Sequence, residues 1–359
     1  MTAGRGSVRR ISVIAPMRNE AEHVDGFVAD VAAQDFDGEV ELIVADGGST
    51  DRSVDRLRTA AERRGLELTT LSNEAAWVSH GLNACIGAAT GDLLVRLDCH
   101  SRYPADYLGR CARAAEETGA LVVGGVIEPV GRTHVERAVA CAMDTAFGGI
   151  GFYRVLDGGM PAVLGVRGAP RDAGAGRVDT DTLTFGAFRP AAFELAGLFD
   201  ESLRRNQDDE LNLRVRAAGG RVVLDPSIRV HYTPRGSLRG VFAQYFEYGY
   251  WKVAVMWKHR QPPSARSLTP LAFVTSLAAL AALAPRSRAA RGLLFAEAAL
   301  YASLAGAAGA ASARRRREPR SLLPTVLAVF PAFHLGYGLG TLRGLVRAGA
   351  LALGRTDRF

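Results

Sequence analysis

At 359 residues with 48% hydrophobic side chains, the chain can form two domains, or one large domain with an appendage, around an ample core. Its net charge of +7 is unevenly placed: residues 260–359 hold 14 Arg against Glu297, Glu318 and Asp357, a local +11 that leaves residues 1–259 at −4. Arg clusters flanking long apolar runs, in place of a basic face on a folded module, exclude nucleic acid as the expected partner and point to a membrane.

Met1 to Arg10 is short, polar and basic, with no apolar stretch before the first strand, so no secretory signal is expected. Ile11–Ala15 reads as a buried strand stopped by Pro16, and Val24, Phe27, Val28 and Val31 recur at helical spacing. A second strand over Val40–Ala45 ends at Asp46-Gly47-Gly48-Ser49-Thr50-Asp51, a turn and helix-cap composition. The pattern continues with a helix over Ser53–Arg64, a strand over Glu67–Leu71, a helix over Ser79–Ala89 and a strand over Asp92–Leu97. A helix from Pro104 and a strand over Ala120–Ile127 extend it. Repeated strand–helix units imply an α/β fold, a mostly parallel sheet flanked by helices.

Residues 148–182 are rich in Gly, Pro and Arg with little periodicity, and a loop of that length in a compact domain is functional or disordered. A strand over Leu183–Arg189, a helix over Pro190–Leu195, a helix over Asp208–Ala218 and two strands, Arg221–Leu224 and Ile228–Tyr232, complete a domain over 1–238. Residues 239–260, with Phe242, Tyr245, Phe246, Tyr250, Trp251 and Trp257 beside Lys252 and Lys258, suit an amphipathic helix in a membrane interface, or one packed on the catalytic core. The runs Ser267–Pro285, Gly292–Ala313 and Ser321–Leu342 are each long enough for a membrane span, which takes roughly 20 apolar residues, giving about three helices over 267–345 and a basic tail over 346–359. Arg314–Arg317 and Arg320 belong on the cytoplasmic side, with the front domain beside them at a plasma or inner membrane. A buried bundle in a soluble protein is the competing arrangement.

The chemistry collects at strand ends. Asp98 and His100 follow the apolar run Leu93–Leu97, one residue apart, where an open α/β sheet binds ligands. A carboxylate and an imidazole there can hold a divalent cation, although an acid after a strand also serves as a turn cap. Asp208, Asp209 and Glu210 open a helix, where the dipole favours acids, yet three exceed what a cap requires. Cys85, Cys99, Cys111 and Cys141 form no CxxC pair and read as reduced, buried thiols.

Four segments in order, Val13–Glu20, Asp46–Asp51, Leu97–His100 and Asn206–Arg214, resemble the inverting family 2 glycosyltransferases of GT-A fold, over about Ile11 to Lys252. The pattern is most similar to the membrane-tailed, succinoglycan-type transferases of exopolysaccharide synthesis, through Asp-x-His, Asn206–Glu210 and His231-Tyr232-x-Pro234-Arg235. The resemblance implies a UDP-sugar crevice lined by Pro16, Arg18, Asn19, Glu20, Asp46 and Asp98, with Asp46 accepting a hydrogen from the uracil ring. It implies Mn2+ or Mg2+ at Asp98 and His100, where imidazole replaces the family's second acid, with His231 a further ligand or a structural residue. Asp208 matches the family's general base, while Gln207 stands where many relatives have Glu. The same resemblance implies that Gly186, Asp209, Glu210 and Arg214 contact the acceptor. Gln244–Tyr248 lacks the Arg-Trp of processive synthases, which favours transfer of a single sugar.

The expected activity is therefore transfer of one sugar, with inversion, to a polyprenyl-linked glycan in exopolysaccharide or cell-envelope synthesis. Transfer to polyprenyl phosphate itself is the nearest alternative. An NAD(P) oxidoreductase would need a glycine-rich turn after the first strand, which Pro16–Glu20 lacks, and Asp98 with Asp208 argues against a non-catalytic membrane scaffold.

Overall fold

The computed structural model of the protein describes residues 7–148, 176–260, 265–356 and Phe359. The chain divides into two compact units. One runs to Glu128 and resumes up to Tyr232; the other takes the segment from Pro129 and the chain from Thr233 to Phe359.

The first unit alternates β1 (Arg10–Met17), α1 (Val24–Ala32), β2 (Glu39–Asp46), α2 (Ser53–Arg64), β3 (Glu67–Ser72), α3 (Val78–Ala88) and β4 (Leu93–Arg96). It continues with β5 (Ser101–Arg102), α4 (Tyr107–Thr118) and β6 (Val122–Pro129). Ile11, Val13, Ile14 and Ala15 of β1 are wholly buried, the continuous apolar reading of a parallel strand covered on both faces. The strand does not stop at Pro16: it runs to Met17, with Pro16 in register with Ala45 of β2. Val24, Phe27, Val28 and Val31 of α1 pack into the core as their spacing requires.

Later come β7 (Val178–Asp179), β8 (Ala187–Phe188), α6 (Pro190–Ala196), α7 (Gln207–Ala217) and β9 (Val222–Tyr232). The predicted strand over Leu183–Arg189 narrows to β8. The two predicted strands around Pro226 are one, because Asp225 accepts the Ser227 amide at 2.8 Å and carries the chain through the proline. Most of the glycine-rich loop expected over 148–182 lies outside the described residues.

The sheet order is β3-β2-β1-β4-β8-β6-β9-β5, with β7 beside β9. β3, β2, β1 and β4 are parallel, and β8 is antiparallel to both β4 and β6. The chain winds outward from β1 to β3 and returns to place β4 on the other side of β1. That reversal opens a crevice between the loops after β1 and β4, at the carboxyl ends of the strands.

The second unit contains α5 (His134–Met143), α8 (Leu238–His259), α9 (Ala265–Leu283), α10 (Arg288–Arg315) and α11 (Leu323–Ala352). Helices cover all three apolar runs, but two, spanning 28 and 33 residues, are long and apolar enough to cross a membrane; the apolar part of α9, Leu268–Leu283, is shorter. α8 lies along α11. A Cβ on Gly336, Gly340 or Gly344 would meet the carbonyl of Phe242, Phe246 or Tyr250, so two rows spaced by four residues bring the backbones together. Of the Arg cluster after α10, Arg315 donates to the Asp144 carbonyl and Arg316 to that of Pro129, while Glu318 pairs with Arg137.

Candidate active site

The wall of the crevice is stitched from two turns. Asn19 takes a left-handed φ of 55°, which its short amide side chain tolerates. Its backbone amide donates to the Ser49 hydroxyl at 2.8 Å, and its side-chain oxygen accepts from the Thr50 amide at 2.8 Å. Glu20 donates its amide to the Ser53 hydroxyl at 2.7 Å. Asp46, at the end of β2, accepts from the Ser49 amide at 3.0 Å and the Ser49 hydroxyl at 2.5 Å. Asp51 takes the helix-start role, accepting from the Ser53 amide at 3.0 Å. Pro16 is half-buried at the end of β1, and Arg18 is exposed beside Gly47.

Across the reversal, Asp98 is fixed by Tyr103, whose hydroxyl accepts the Asp98 amide at 2.7 Å and donates to its carbonyl at 3.3 Å. His100 Nδ1 lies 3.0 Å from Glu20 Oε1, joining the two loops. In the neutral ring that contact keeps the proton on Nδ1 and the lone pair on Nε2, the arrangement in which a carboxylate orients a ligating imidazole. Cys99 between them is buried, and burial with the nearby charges of Glu20 and Asp98 pushes its thiol well up, unlike a nucleophile.

Asn206, also left-handed at φ 62°, turns the chain into α7 and places Asp208 in the first turn. The Arg96 guanidinium reaches both Asp208 and Asp98: Nη1 lies 2.6 Å from Asp208 Oδ1, and Nη2 lies 3.3 and 3.4 Å from the Asp98 oxygens. The structure thus brings the two carboxylates onto one cation. Burial pushes the Asp208 carboxyl above its ordinary value, against the opposing pull of Arg96, while Asp98 and Asp209 add to the push. Sequence reading passed over Arg96 and Tyr103. The signal for Arg96 was available: a charge inside Leu93–Leu97, an otherwise apolar buried strand, demands buried acids.

The segment before α7 is held by α3. Asn83 exchanges two hydrogen bonds of 2.9 Å with the backbone of Phe199, and Arg204 stacks on Trp77 at 4.4 Å. The remaining expected residues are occupied locally. Asp209 accepts from the Thr182 hydroxyl. Glu210 is fully buried and pairs with Arg214, which also donates to the carbonyls of Ala196 and Leu198. A Cβ on Gly186 would strike the Phe188 ring at 2.8 Å, and its carbonyl accepts the Arg96 amide. His231 lies 3.3 Å from Glu128 on β6.

Among the described residues no three or more His, Cys, Asp or Glu side chains cluster as a cation cage. Asp98 and His100, one residue apart just after β4, supply one carboxylate and one imidazole. That set fits a cation whose remaining ligands are substrate phosphates and water, as Mg2+ sites commonly are.

A family model described as Glycosyl transferase family 2 matches residues 12–144. The succinoglycan biosynthesis protein ExoA of Rhizobium meliloti (strain 1021) is 30% identical over 264 residues, 72% of this chain and 74% of that protein. A dolichyl N-acetyl-alpha-D-glucosaminyl phosphate 3-beta-D-2,3-diacetamido-2,3-dideoxy-beta-D-glucuronosyltransferase of Methanococcus voltae is 23% identical over 67% of this chain and 71% of that protein. Among solved structures, the mannosyltransferase PcManGT from Pyrobaculum calidifontis, in complex with GDP-Man and Mn2+, matches with a TM-score of 0.63 and 20% identity, covering 95% of this chain and 88% of that one. The sheet, its reversal and these likenesses agree: the chain is a transferase of GT-A fold and belongs to the family 2 glycosyltransferases.

Proposed function

We propose that the protein transfers one sugar, with inversion, from a UDP-sugar to a polyprenyl-linked glycan in exopolysaccharide or cell-envelope synthesis. The observation that carries this reading is Arg96 joining Asp98, on the donor side of the crevice, to Asp208 at the start of α7. Inversion requires a base on one face of the sugar and a departing diphosphate on the other. Asp208 is the base: its raised proton affinity suits it to take the acceptor hydroxyl proton at neutral pH. Asp46, with Pro16, Arg18, Asn19 and Glu20, would line the nucleotide, and Gly186, Asp209, Glu210 and Arg214 would shape the acceptor side.

Asp98 and His100 would hold Mn2+ or Mg2+, which when bound supplies positive charge to the leaving diphosphate. Glu20 orients His100, and Tyr103 holds the Asp98 backbone. The relative from Methanococcus voltae, whose name specifies a lipid-linked sugar as acceptor, supports a lipid-linked acceptor here. α10 turns Leu293, Phe295, Leu300 and Leu304 outward, a surface suited to membrane lipid. A plasma or inner membrane would present such acceptors to a cytoplasmic catalytic unit.

The test is incubation of purified protein, Mn2+ and radiolabelled UDP-sugars with lipid extract, followed by NMR of the released glycan. One UDP-sugar should label the lipid-linked glycan, its anomeric configuration opposite to the donor's. Label on polyprenyl phosphate alone would select the direct-acceptor alternative, and retained configuration would reject Asp208 as base.

A further inference from the structure

Arg96 is a cation built into the crevice. Its side chain is 6% exposed, and among the described residues its buried Nε has no hydrogen-bond partner, so its charge is matched there through the two terminal nitrogens. These engage unequal partners. The contact with Asp208 is short, at 2.6 Å, while both contacts with Asp98 are long, at 3.3 and 3.4 Å. The Phe185 ring lies 5.8 Å from Cζ and covers one side of the guanidinium.

A planar fork can serve two carboxylates at once, which an ammonium cannot do. The Asp98 oxygens it approaches are the ones a divalent cation would use. Two positive centres sharing one carboxylate in a partly dry site repel each other, so the looser partner is the one exposed to exchange. Without Arg96, two carboxylates of low exposure would face each other with no compensating charge, an arrangement that attracts a cation.

We propose that Arg96 is a positioning residue that ties Asp98 to Asp208 in the donor-free protein and competes with the divalent cation for Asp98, so that the cation binds well only together with the donor diphosphate. This rests on Asp98 as cation ligand and Asp208 as base.

The experiment titrates full-length protein in detergent with Mn2+ alone, following free Mn2+ by electron paramagnetic resonance, and repeats the titration with UDP. Without nucleotide, Arg96→Met should bind Mn2+ at least about tenfold more tightly than wild type, and UDP should tighten binding far less in the variant than in wild type. Arg96→Lys, whose ammonium stays with one carboxylate, should bind about threefold more tightly than wild type, and it decides the matter if Arg96→Met does not fold. Equal or weaker Mn2+ affinity in the folded variant overturns the proposal. Asp98→Asn, titrated with UDP, separates the two readings. If it binds Mn2+ as tightly as wild type, Asp98 is no ligand and both fall; if it loses Mn2+ while Arg96→Met gains nothing, the competition alone falls.

Discussion

Asp208 sits in the crevice with two opposed influences on its proton. Burial raises its affinity for the proton, Arg96 lowers it, and burial prevails. The base must be ionised to accept the acceptor hydroxyl proton, so activity should fall as pH drops through this raised value. The acidic limb of kcat/KM against pH should therefore lie above the ordinary aspartate range of about 4. Initial rates across pH in one constant-ionic-strength buffer series measure it, and a limb at or below the ordinary range contradicts the assignment. Asp46, Asp98, His100 and Asp208 were legible as residue types at strand and helix ends. Arg96 carries a signal of its own, a charge inside an apolar strand, whereas a loop Tyr such as Tyr103 takes its meaning from its partner, the Asp98 backbone.

At the scale of elements, the alternation from β1 to β6 was readable because buried parallel strands are continuous apolar runs and their helices are amphipathic. What escaped was set by local backbone chemistry. α5 has no strong apolar signal at its start, yet Thr133 and Glu136 form a capping box with the T-x-x-E spacing that could have revealed it. The aromatic helix α8 packs one side along α11. Small residues at four-residue spacing were visible in the sequence, but which helix they face depends on tertiary structure. Gly340 provides the check. A side chain there would begin 2.0 Å from the Phe246 carbonyl, so Gly340→Leu must part the helices. The loss should be about 1–3 kcal/mol or more, read as a lower melting temperature in detergent. A variant that melts with wild type would show that this contact is not close.

Over the whole molecule, composition separated an acidic front from a basic, apolar tail, and both units bear that division. Pro129 onward groups with the C-terminal helices, in the second of the two units. No local pattern announces such a return of an internal segment to a distant part of the chain. Two residues far apart in sequence, Asp98 and Asp208, meet because the sheet reverses at β4 and α3 holds the segment that leads to α7. The most direct measurement is the turnover of Asp208→Asn against wild type, at saturating UDP-sugar and Mn2+ with a lipid-linked acceptor. The site predicts kcat reduced by about 10²–10⁴ at saturating donor and cation; a variant that transfers sugar as fast as wild type would contradict it.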